Sequence, residues 1–116
     1  MADRSGKGNG NGIGVRGGRG ETPELARLRQ RIDALDRKIV GLLNERAELG
    51  REVGREKVAA GRRAVRDAER EREVLLRVTM ANTGPIPQAD LLAMYRRLIA
   101  ATRALEARDR EREPRD

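Results

Sequence analysis

Between Leu25 and Val53 the large apolar residues recur at helical spacing: Leu25, Leu28, Ile32, Leu35, Ile39, Leu42, Leu49 and Val53. The steps are 3, 4, 3, 4, 3, then a gap of 7, then 4. That is a heptad seam with one position replaced, because Arg46 stands where an apolar residue belongs. Thr22-Pro23-Glu24 opens the run with a capping hydroxyl, a proline at the first helical position and an acid near the positive helix end. No proline follows until Pro85, and Gly61 offers a stop, so the pattern predicts a helix over 23–59. A second helix is predicted from about Val65 to Ala81, ended by Asn82-Thr83-Gly84-Pro85. A third starts at Pro87 or Gln88 and runs through Leu105 on the stripe Leu91, Tyr95, Leu98, Thr102, Leu105. No alternating strand pattern occurs, so the fold class is all-α, with one long and two shorter helices.

A helix of about 37 residues is roughly 55 Å long. A compact domain of about 95 residues has a diameter near 30 Å. The first helix therefore either projects as a coiled coil or crosses into a second copy of the chain, and dimerisation is expected on length alone.

Composition narrows the chemistry. The 116 residues include no Cys and no His, which removes thiol chemistry, Cys-type zinc sites and His-based triads. Tyr95 is the single aromatic, too few for a base-stacking platform. The net charge is +7, carried by 26 basic residues of which only Lys7, Lys38 and Lys57 are lysines. Residues 1–20 hold eight of the 13 glycines and are read as a disordered Gly/Arg leader, an inert one in preference to a nucleic-acid-binding arm. Residues 21–106 form the expected domain. Residues 107–116, with four Arg against four acids and no apolar residue larger than Ala, are expected to fray. No apolar run approaches the length of a membrane span, and the polar N-terminus is no secretory signal, so a soluble cytoplasmic protein is expected.

The informative residues are charges on apolar faces. Arg46 interrupts the seam, where the plain explanation is a register-setting polar residue. Lys57 lies eleven positions on, turned by only about 20° and about 16 Å further along the axis, so the two could clasp a small anion. Asp67, Arg70 and Glu71, spaced i, i+3, i+4, share one face of the second helix; a solvated charge ladder is the plain alternative. Thr102 and Glu106 repeat the i, i+4 spacing on the third. Arg29 flanks the seam about 25 Å before Arg46 and turned by about 100°, so the two cannot meet within one straight helix but could if Arg29 came from an antiparallel partner. Such a set makes a cationic pocket for a small di-anion. It holds no nucleophile–base pair, metal triad or Gly-rich phosphate loop, which leaves catalysis by positioning and electrostatics.

The segments Leu28-Arg29-Gln30-Arg31-Ile32-Asp33-Ala34-Leu35-Asp36, Glu45-Arg46, Gly54-Arg55-Glu56-Lys57 and Val65-Arg66-Asp67-Ala68-Glu69-Arg70-Glu71 resemble, in order and spacing, the all-helical (AroQ-class, type II) chorismate mutases. The resemblance spans about residues 24–106. It implies an intertwined homodimer of three-helix subunits and the Claisen rearrangement of chorismate to prephenate, in aromatic amino-acid biosynthesis, without covalent intermediate, cofactor or metal. It further implies that Arg46, and Arg29 from the other subunit, bind the substrate carboxylates. Lys57 donates to the ether oxygen, and Glu106 falls at the second donor position there. Glu71 and the backbone at Asp67 hold the ring hydroxyl, Arg70 organises the charge network, and Thr102 binds a carboxylate. Many bacterial members have Gln and Ser in place of Glu106 and Thr102; a Glu donates to an ether oxygen only when protonated.

Two related activities would use nearly the same cations: isochorismate pyruvate lyase, and a mutase of 4-amino-4-deoxychorismate. A basic helical nucleic-acid-binding protein is a distant alternative resting on the net charge and the Gly/Arg leader. Against it, the three helices are charge-mixed and carry no separate basic stripe.

Overall fold

The computed structural model describes residues 20–63 and 66–112, all of whose regular structure is helical. The expected leader, apart from Gly20, lies outside the described residues, as do Ala64, Val65 and 113–116. Three helices follow in order: α1 Pro23–Ala59, α2 Ala68–Ala81 and α3 Gln88–Arg112. Among the described residues no helix is long and apolar enough to cross a membrane. The described residues divide into two compact units after Gly41, so the division falls within α1.

In the first unit, Thr22 Oγ1 accepts from the Leu25 amide at 3.0 Å, which satisfies one of the unpaired donors of the first turn. Glu24 sits in that turn and pairs with Arg27 three residues on. The seam residues Leu28, Ile32, Leu35 and Ile39 are exposed. A row of branched apolar side chains on one face, left in water, is the signature of a surface built for burial against another helix.

In the second unit, the rest of α1 packs beside α3, and α2 packs on α3. Two glycines set the closeness of α1 to α3. A Cβ on Gly50 would overlap Thr102 Cγ2, and one on Gly54 would come 2.9 Å from Glu106 Cγ. Ile99 is the one buried hydrophobic residue among those described, and the buried polar residues are Thr102 and Glu106. So small a core leaves Leu42, Leu49 and Val53 exposed on α1. The centre of this unit is thus polar and belongs to the cleft described below.

Two helix ends differ from expectation. The second helix starts at Ala68, with Asp67 as its N-cap: Asp67 Oδ1 accepts from the Arg70 amide at 3.0 Å. Apolar periodicity alone could not separate a cap from the first turn. The third helix does not end at Leu105 but runs to Arg112. Asp109 receives two bonds from Arg51 of α1, at 2.9 and 3.0 Å, and Arg110 Nη1 donates to the Arg63 carbonyl at 2.8 Å. These long-range ties hold a segment whose local composition predicts fraying.

Candidate active site

A cleft of about 250 Å³ in the second unit is lined by Arg46 and Lys57 of α1, Asp67, Arg70 and Glu71 around the start of α2, and Thr102, Arg103 and Glu106 of α3. Leu49, Val53, Val74 and Ile99 supply apolar wall. Seven of the eight residues singled out from the sequence therefore meet in one place. The eighth, Arg29, lies in the first unit, where its Nη1 donates to Glu21 Oε1 at 2.8 Å.

The polar set is arranged by helix periodicity. Arg46, Gly50, Val53 and Lys57 follow one another along one side of α1, and the two glycine approaches bring Thr102 and Glu106 of α3 against it. The Arg46 guanidinium carbon lies 5.8 Å from the centroid of the Tyr95 ring, a cation–π placement that holds the charge on an apolar surface. Lys57 Nζ is 3.5 Å from Glu106 Oε1, and their side chains are only 10% and 8% exposed. A lysine and a carboxyl group thus face each other with little access to water.

Thr102 Oγ1 donates to the Leu98 carbonyl of its own helix at 3.0 Å. Its hydroxyl must rotate to donate to a ligand, which a hydroxyl can do without moving the backbone. The Asp67 carboxyl is held below the usual carboxylate range, first by the Arg70 amide it caps; desolvation opposes this, and Arg62 and Lys57 add to it. Its carbonyl accepts from the Glu71 amide at 2.9 Å, keeping a lone pair for a further donor.

Arg70 lines the cleft. Its guanidinium is more than half exposed and pairs with Glu73 on its own helix. Arg103, which sequence reading passed over, approaches Glu71 most closely. Its Nη1 donates to both carboxylate oxygens of Glu71, at 3.1 and 2.9 Å, while Arg66 Nε stands 3.5 Å from the same carboxylate. The signal available was the i, i+1 adjacency to Thr102; in a chain so rich in Arg it carried little weight.

Chemically, the cleft offers cationic donors for carboxylates, a fixed carboxylate that can accept from a hydroxyl, and two donor positions at Lys57 and Glu106. Among the described residues no group of His, Cys, Asp or Glu is arranged to hold a metal ion.

A family model for chorismate mutase type II matches residues 28–107. A bifunctional chorismate mutase/prephenate dehydratase of Aquifex aeolicus (strain VF5) is 39% identical over 87 residues, covering 72% of this chain and 24% of the relative. The protein of the same name from Escherichia coli (strain K12) is 52% identical over 58 residues, 50% of this chain and 14% of the relative. Among solved structures, chorismate mutase (form II) from Thermus thermophilus aligns with a TM-score of 0.68 at 32% identity, covering 79% of this chain and 99% of that one. The chain spans about a quarter of the length of the Aquifex relative.

Proposed function

Because this chain belongs to the type II chorismate mutase family, we propose that it rearranges chorismate to prephenate, and that its site is completed by Arg29 of a second copy. The observation that carries the reading is the meeting of Arg46, Lys57, Glu71, Thr102 and Glu106 in one cleft. The reaction breaks the ether C–O bond as a C–C bond forms. No proton is lost and no covalent intermediate is needed. What the protein must do is hold the two ends of a di-anion in a folded conformation and stabilise negative charge as it grows on the ether oxygen.

Arg46 binds one carboxylate from the seam, its plane supported by Tyr95. Thr102 donates to a carboxylate after rotating its hydroxyl away from Leu98. Glu71 accepts from the ring hydroxyl, together with the Asp67 carbonyl. Lys57 donates to the ether oxygen, and Glu106 does the same when it carries a proton. Lys57 Nζ stands 3.5 Å from Glu106 Oε1, and this pair supports the reading. The ether oxygen would enter beside it, and ionised Glu106 would repel the charge that develops there. No cofactor or metal enters this scheme.

The second copy is supported by the exposed seam. Leu28, Ile32, Leu35 and Ile39 are exposed in one unit, and Leu42, Leu49 and Val53 in the other. An antiparallel copy would bury that seam and bring its own Arg29 toward the carboxylate ends of the cleft. Chorismate loss followed by absorbance, with the product identified by mass spectrometry, tests the activity. Prephenate of unchanged mass is expected. Pyruvate release would make the protein a lyase, and no consumption would overturn the reading.

A further inference from the structure

A second cavity, of about 240 Å³, lies beside Glu106 where the ends of α1 and α3 approach each other. Its charged lining is Arg51, Arg55, Arg110 and Arg112 against Glu106 and Asp109. Neither carboxylate is spare. Asp109 takes two bonds from Arg51, and Glu106 faces Lys57. The C-terminal end of α3 contributes about half a negative charge, which leaves the cavity cationic.

Arg110 makes the case specific. Its Nη1 is spent on the Arg63 carbonyl. Its Nε and Nη2 are shut off from bulk water and find no acceptor among the described residues. Nε–H and the Nη2 donor form one edge of the guanidinium plane, the two-pronged edge that matches the paired oxygens of a carboxylate or phosphate. Permanently cationic donors left desolvated without an acceptor are costly, and such groups ordinarily have an ion or ordered water as partner. Water would satisfy the donors but not the charge, and an oxyanion does both.

We propose that this cavity is a second binding site, for a small oxyanion, gripped two-pronged by the Nε/Nη2 edge of Arg110 with Arg55 and Arg112 completing the field. The shared chemistry is that of inorganic phosphate and of a small carboxylate. The site adjoins the cleft that holds Arg46, with Glu106 lining both, and it stands whether or not chorismate is the substrate.

Calorimetric titration at constant ionic strength tests it, with inorganic phosphate in one arm and malonate in the other. Both are titrated into Arg46→Ala protein, so that the cleft contributes little, and into the same protein also carrying Arg110→Gln. At least one anion should bind the first, and its affinity should fall about tenfold or more in the second, as expected for loss of a two-pronged charged contact. The stronger arm identifies the ligand class. No binding to the first protein, or equal binding to both, overturns the proposal. Should Arg110→Gln not fold, Arg55→Gln replaces it: Arg55 is exposed, and a fall of about threefold is expected, against unchanged affinity if the site does not exist.

Discussion

Replacing Arg103 by leucine removes the one close partner of Glu71 on α3 while keeping a side chain free of β-branching and of high helix propensity. The Arg103 and Glu71 side chains are 30% and 18% exposed, and Nη1 reaches both carboxylate oxygens within 3.1 Å. A charge-assisted bond of this kind is worth about 1.5–3 kcal/mol when desolvated. Partial exposure lowers that, and Arg66, 3.5 Å from the same carboxylate, takes up part of the lost role. A loss of about 1–2 kcal/mol remains, or roughly 5- to 30-fold in kcat/KM. Because Arg103 acts through Glu71, it is a positioning residue, and a double-mutant cycle with Glu71→Gln exposes the dependence. The double variant should be little worse than Glu71→Gln alone, and Arg103→Lys should recover part of the activity. Thermal unfolding of each variant separates misplacement of Glu71 from loss of the fold. Additive losses, or an Arg103→Leu enzyme with unchanged kcat/KM, would refute the reasoning.

Three further outcomes follow from particular contacts. Gly50→Ala places a methyl onto Thr102 Cγ2, forcing α1 from α3; a loss of about 1–3 kcal/mol in chemical denaturation is expected, and wild-type stability would mean the helices sit further apart. Asp109 is held below the usual carboxylate range, chiefly by its hydrogen bond from Arg51. Its stabilising effect is therefore present above the unfolded value and disappears as pH falls through the lower folded one. Asp109→Asn should melt earlier than wild type at neutral pH, with the gap closing in acid, and a gap that persists in strong acid would point to another cause. Glu106→Ala removes the second donor and should lower kcat/KM about tenfold or more, while Glu106→Gln, a permanent amide donor, should keep at least the wild-type value. Equal activity of all three proteins would place Glu106 away from the ether oxygen.

The long first helix was legible because every signal for it is local. Thr22 caps, the seam repeats, and Gly61 closes at a positive φ of 79°. The cleft residues were legible as charges out of place on apolar stripes. The miscast parts depended on partners far away in sequence. Asp109 looks like tail until Arg51, 58 residues earlier, reaches it. Arg103 looks like one more surface arginine until Glu71, 32 residues earlier, meets it. Arg70 lines the cleft as its spacing implies, while its guanidinium pairs with Glu73 three residues on.

Subunit complementation tests most directly whether catalysis occurs at a site shared between two copies. Arg29→Ala and Lys57→Ala, each expected to be inactive by itself, are denatured together in equal amounts and refolded. If Arg29 serves the site of the other subunit, each heterodimer contains one intact site and one carrying both defects. Random pairing should then restore about a quarter of the wild-type mutase activity. If heterodimers form and the activity stays at the level of the parent variants, each Arg29 serves its own subunit or none, and the shared site is contradicted.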